Sequence, residues 1–158
     1  MARNRKLDAR IKECEGEEEE LQFSSFTNEE ALQLGLAMVE RAKQRGLSVA
    51  IDIERHGQQL FHHALEGTAT DNDKWIARKK LLVNRVFMSS YHFTLKLEAS
   101  GGTLRDRGLD EQHFAASGGS FPVRIQNTGV VGTITVSGLP HEQDHALVVE
   151  SVRRFLAR

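Results

Sequence analysis

The chain predicts an α+β domain of the α/β class, a single antiparallel sheet with helices packed on it. Two observations carry this. Apolar residues alternate with polar ones in two pairs of segments, each pair joined by turn residues, while the intervening segments repeat at helical spacing. The order is helix, hairpin, helix, an irregular section, hairpin, helix.

Thr27 opens the first helix of the domain. Thr27-x-x-Glu30 is a capping box, with Phe26 and Ala31 placed as its hydrophobic staple. Leu32, Leu36, Val39 and Ala42 recur at helical spacing, and Gly46 stops the helix. Leu47, Val49, Ile51 and Ile53 alternate with Ser48, Ala50, Asp52 and Glu54, a strand with one buried face. Arg55-His56-Gly57-Gln58 turns the chain into a second strand from Gln59 to Leu65. Asp71 or Asn72 caps a helix running to about Met88, with Ile76, Val83 and Phe87 on one stripe and Trp75, Leu82 and Val86 beside it. Residues 89–117 are ambiguous: Phe93, Leu95 and Leu97 suit a strand or a helix, and Leu109-Asp110-Glu111-Gln112 a short helix or turn. Pro122 confines its strand to a sheet edge or its own position to a strand start. Asn127-Thr128-Gly129 turns into a last strand, Val130 to Val136. His141 to Leu156 closes the chain as a helix, with Leu147, Val148, Val152 and Phe155 or Leu156 toward the sheet.

Length and composition narrow the function classes. The chain has 158 residues, enough for one core, with 39% hydrophobic and 27% charged residues. Net charge is −1, which exerts no general pull toward nucleic acid or membrane, and one Trp and one Tyr make a poor base-stacking surface. Cys14 is the single cysteine, so no intramolecular disulfide forms; with no signal-peptide core after Met1-Ala2-Arg3-Asn4-Arg5-Lys6, a cytoplasmic protein is expected. Residues 1–22 read as a charged helical arm, solvated or frayed, ending in Glu17-Glu18-Glu19-Glu20; residues 23–158 form the domain.

Several segments resemble the haem-degrading or haem-binding domain family, the GlcG-like proteins of profilin-like fold, and within it a branch of similar length with no assigned activity. They are Glu19-Glu20-Leu21-Gln22-Phe23, Leu36-Ala37-Met38-Val39-Glu40-Arg41-Ala42, Val49-Ala50-Ile51-Asp52-Ile53, Trp75-Ile76-Ala77-Arg78-Lys79-Lys80, Gly118-Gly119-Ser120-Phe121-Pro122-Val123-Arg124 and Gly132-Thr133-Ile134-Thr135-Val136-Ser137-Gly138-Leu139-Pro140. The resemblance implies a single profilin-like domain, self-association to at least a dimer, and, in some members, binding of haem or another small ligand. It carries no haem ligand over to this chain.

Four groups of residues are candidates for chemistry. His141-Glu142-Gln143-Asp144-His145 matches the H-E-x-x-H pattern, in which two histidines at i and i+4 hold zinc and the glutamate polarises its water. Against a hydrolase, Pro140 puts His141 in the first turn, Asp144 stands where packing residues are usual, and only 13 residues follow His145. The plain alternative is an acidic first turn suited to the helix dipole. Gly118 and Gly119 suit either a bend into an edge strand or a backbone cradle for a carboxylate facing the closing helix. Lys74, Arg78 and Arg85, with Lys79 and Lys80 alongside, form a basic helix face: solvated, or holding an anionic ligand or a neighbour's acidic segment. His62 and His63 point to opposite faces of their strand, and either of them, His92 or His113 could ligate haem iron. Cys14, in the charged arm, is a poor nucleophile.

These readings converge on a binding site for a small anionic ligand, haem the first candidate, built from Arg78, Lys79, Gly118, Gly119, Phe121, Pro122, Gly138 and His141. His141 and His145 are the weak metal candidates. An oligomeric scaffold without ligand and a zinc hydrolase are the two alternatives.

Overall fold

The computed structural model describes residues 2–158, with side chains from residue 5 onward. Five helices, a short 3-10 turn and four strands follow in order: α1 Ala2–Glu20, α2 Asn28–Gln44, β1 Ala50–Arg55, β2 Gln58–Ala64, α3 Thr70–Val86, α4 Ser90–Ser100, the turn Arg105–Arg107, β3 Ser120–Ile125, β4 Gly129–Ser137 and α5 His141–Leu156. The strands form one antiparallel sheet in the order β2-β1-β4-β3. Pro122 thus lies on an edge strand, where its missing N–H costs no ladder bond.

Strand alternation divides the sheet into two unlike faces. Ile51, Ile53, Phe121, Val123, Ile134 and Val136 face α2 and α5 and form the main core with Leu34, Met38, Leu147, Val148 and Val152. The opposite face carries Asp52, Ser120, Thr133, Thr135 and Ser137, all buried, and α3 lies across it. Asp52 and Glu54, whose alternation reads as a solvated face, are instead covered by α3, whose Lys80 bonds both at 3.2 and 2.8 Å. A second core of Leu82, Phe93, Leu97, Leu104 and Leu109 joins α3 to α4 and the loop after it.

Thr27 caps α2 through the expected box, its Oγ1 accepting from Glu30 N–H at 3.1 Å. The apolar stripe of α2 is phased differently from the sequence reading. Leu34, Gly35, Met38 and Ala42 face the sheet, whereas Leu36 is 54% and Leu32 40% exposed. Gly35 lets α2 sit against the ring of Phe61, with a built Cβ only 2.4 Å from it, so a non-periodic glycine sets the phase. Asn72 serves α3 as its third residue rather than its cap, accepting from Ala69 N–H at 2.9 Å. Phe87 ends α3 with a φ of 58° and is 56% exposed, so it leaves the stripe assigned to it. Residues 90–100 are helical, because Ser89 caps them and α4 packs between α1, α3 and α5, touching the edge strand through Ser90, whose Oγ accepts from Ser120 N–H at 3.0 Å.

The arm is a helix, but not a solvated one. Cys14 and Glu18 are buried, and Leu7 and Ile11 pack beside Tyr91 and Leu95 of α4. At the sheet centre Gly132 crosses Arg55 and Glu54 so closely that an added Cβ would lie 2.0 Å from the Glu54 carbonyl oxygen. Gly132→Ala should therefore destabilise the fold by about 1–3 kcal/mol or more, read as a lowered urea midpoint at unchanged m-value.

Candidate functional site

A cleft of about 260 Å3 opens where α3, the end of β4 and the start of α5 meet, lined in part by Asn72, Trp75, Lys79, Ser137, His141 and Asp144. Its floor is an ion pair. Lys79 Nζ donates to Asp144 Oδ2 at 3.0 Å and to the Val136 carbonyl at 3.1 Å, and both side chains are almost wholly buried. Asp144 Oδ1 accepts from the Leu139 N–H at 2.9 Å, so the carboxylate also ties the loop before α5 to its own helix. Burial pushes Lys79 down and Asp144 up from their usual ranges, and each charge opposes its partner's shift.

This pair and the head of α5 explain the glycines. Gly119 holds a φ of +132°, and an added Cβ would meet the Val136 oxygen at 2.4 Å and Lys79 Nζ at 2.8 Å. A Cβ on Gly118 would lie 2.5 Å from the His141 carbonyl oxygen. The backbone expected to cradle an anion is thus taken up within the protein, Gly118 N–H donating to His141 Nδ1 at 3.0 Å and Gly119 lying against Lys79.

His141 also lines the cleft, and its Nδ1 accepts from Gly118 N–H at 3.0 Å. That bond puts the ring proton on Nε2. Burial holds the imidazole below its usual pKa, hence neutral. His145, one turn on, turns to α1 instead and bonds Glu17 Oε1 through Nε2 at 2.9 Å. The ring of Tyr91 packs against both imidazoles, with centroids 5.4 Å from His141 and 4.8 Å from His145. The two histidines of the H-E-x-x-H pattern thus serve different partners, and the pair does not form a shared metal position among the described residues.

A second, larger groove of about 530 Å3 adjoins the cleft through Trp75, which lines both. Its walls include Leu97, Leu104 and Phe114. Arg78 edges it, stacked on Trp75 with its Cζ 4.2 Å from the ring centroid, and donating to the Glu111 carbonyl at 3.1 Å.

The expected site residues therefore fall into two groups. Lys79, Gly118, Gly119, Gly138 and His141 gather at the cleft, and Arg78 stands at the adjoining groove. Phe121 instead points into the main core on the other sheet face, and Pro122 lies within β3, lining neither cavity. The basic helix face divides: Lys74 and Arg85 are exposed, whereas Lys79 is spent on Asp144 and Lys80 on Asp52 and Glu54. His62 faces α3, between Asp52 and Asp73, at 3.1 and 3.2 Å. His92 is buried against Glu18, with Nδ1 at 2.6 Å. His113 is exposed and held by Asp110 through Nδ1 at 2.8 Å. The sequence reading missed Trp75, Phe114 and Asp144 as lining residues, although Trp75-x-x-Arg78 is a helical spacing that stacks a guanidinium on an indole.

A four-stranded antiparallel sheet covered on both faces by helices, with a cleft at the head of the closing helix, defines an α+β architecture seen in solved proteins. The chain belongs to the HbpS-like haem-degrading protein family, whose model matches residues 26–153. It is 50% identical over 147 residues to a UPF0303 protein of Streptomyces coelicolor, covering 92% of this chain and 93% of that one. Among solved structures it is similar to the Ybr137w protein, with 31% identity, a TM-score of 0.86, and coverage of 93% and 87% of the two chains. A PduOC–haem complex shares the fold at 18% identity and a TM-score of 0.68, over 82% of this chain and 94% of that one.

Removing one member of the buried pair strands the other charge. Lys79→Ala should cost on the order of 3–5 kcal/mol, whereas Lys79→Met combined with Asp144→Leu should recover most of it. Thermal melts of both variants check this, and equal losses in the two would show that the charge is not the cause.

Proposed function

We propose that this protein is a small-ligand-binding domain that takes a flat, anionic molecule, haem being the first candidate, and that it self-associates at least as a dimer. The observation that carries the reading is a pair of neighbouring cavities that share Trp75: a groove whose wall includes Leu97, Leu104 and Phe114, edged by Arg78, and the polar cleft of Lys79 and His141. Apolar walls suit the faces of a planar ring, and a guanidinium suits an acidic substituent. Membership of the HbpS-like family and the haem-bound relative of the same fold add support.

Haem also needs an axial ligand, and the histidines differ in their fitness. His141 carries its proton on Nε2, so no lone pair there is offered to iron. His113 has the arrangement metal-binding imidazoles use: Asp110 holds Nδ1–H, leaving the Nε2 lone pair for a metal. It lines a separate, neighbouring cavity with Glu111, which also lines the groove. The reading therefore takes Arg78 for a propionate and His113 as the candidate ligand, and the residues do not fit ligation by His141.

Haemin titration followed by absorbance tests the reading. Saturation near one haem per chain with a sharpened Soret band is expected. Arg78→Ala should weaken binding about tenfold, and His113→Ala should alter the band. A non-saturating response would remove haem and leave the oligomeric scaffold as the reading.

Self-association draws support from exposed Leu32 and Leu36 on α2, beside the open β2 edge. Light scattering should give at least twice the 17.7 kDa chain mass. Leu36→Glu should lower it, and a monomeric wild type would remove this part of the proposal.

A further inference from the structure

From α1 and α5 the structure assigns a second site, separate from the cleft: we propose that Cys14, Glu17 and His145 bind a zinc-class divalent cation and clamp the N-terminal helix to the closing helix. A ligand atom of each lies within 4.8 Å of the other two. Cys14 and Glu17 are three apart in α1, so both side chains leave the same helix face, and His145 meets them from α5. Thiolate, imidazole and carboxylate at tetrahedral zinc stand roughly 3.3–3.8 Å apart, from bond lengths of roughly 2.0–2.3 Å. Small side-chain rotations close the gap.

A further observation fits a cation here. His145 is 5% exposed and turns Nε2 to Glu17 Oε1 at 2.9 Å, so imidazole and carboxylate already converge on one position. The three residues also line one cavity of about 230 Å3 that admits an ion and its water. Beyond Glu17, that cavity holds Glu13, Glu142 and Glu150 against Arg10 and Arg153, so carboxylates outnumber guanidiniums four to two. Around Cys14 this field disfavours the thiolate: burial first, then Glu17 and Glu18, push the thiol up to about 12. A divalent ion reverses that balance. It binds sulfur as the thiolate and releases the thiol proton to solvent. Three protein ligands leave the fourth position to water.

This site uses the second histidine of the H-E-x-x-H pattern without the first, because His141 faces Gly118 on the far side of Tyr91. Its consequence is mechanical. α1 is held to the domain by polar pairs, Glu17 with His145 and Glu18 with His92, and a metal turns one of them into coordinate bonds.

Cobalt(II) is the probe, added to the full-length protein under reducing conditions. One cobalt per chain should bind, with a near-ultraviolet thiolate-to-metal charge-transfer band. Cys14→Ser should lose that band. Glu17→Gln and His145→Gln should weaken binding about tenfold or more, while His141→Gln should leave it unchanged. Circular dichroism establishes that each variant is folded. Absence of the band in the wild-type protein at stoichiometric cobalt would overturn the assignment. So would a folded His145→Gln variant that binds as tightly as wild type.

Discussion

The arrangement of the cleft depends on one buried ion pair. Lys79 and Asp144 are drawn from α3 and α5, helices on opposite faces of the sheet, and they meet past its end. Each partner is also bonded to backbone, Lys79 to Val136 and Asp144 to Leu139. The pair thus holds α3, β4 and α5 in one geometry. Its own attraction is largely offset by desolvation, so what it supplies is positional specificity rather than net stability. Gly119 follows from it, and Gly118 from the His141 carbonyl beside it. They bring the chain into β3 against the head of α5 at distances that no side chain permits.

The unusual polarity of the α3-facing side of the sheet belongs to the same design. Lys80 draws Asp52 and Glu54 under the helix, Gln59 donates to Asp52 at 2.7 Å, and Ser120 and Thr135 share a hydrogen bond of 2.8 Å. A polar interface of this kind requires its partners in fixed places. It gives a rigid wall on which a cleft can be built, whereas the α2–α5 side is an ordinary apolar core. The acidic arm follows the same logic. Its glutamates meet histidines of the domain, and its inner face is buried beside α4.

Local signals carried far into this fold. The Thr27 box, the two hairpins, the edge position of Pro122 and the span of α5 follow from capping, alternation and turn chemistry, which act over a few residues. The phase of α2 did not, because Gly35 against Phe61 decides which side faces inward. Nor did residues 90–100, whose apolar spacing satisfies two periods until α1 and α3 close around them.

Of the candidate site, the sequence by itself determined the neighbourhood: glycines before β3, a basic helix and the head of α5 do converge. It also carried the family, because segments spread over most of the chain have a recognisable order. Tertiary structure alone decided what each residue does there. Lys79 is neutralised by a partner 65 positions away, Phe121 turns to the opposite face, and His145 answers to Glu17, 128 positions earlier. Periodicity reports which face of an element a residue occupies. It carries no information on which distant charge will meet that residue once the layers close, and in this protein those meetings set the chemistry.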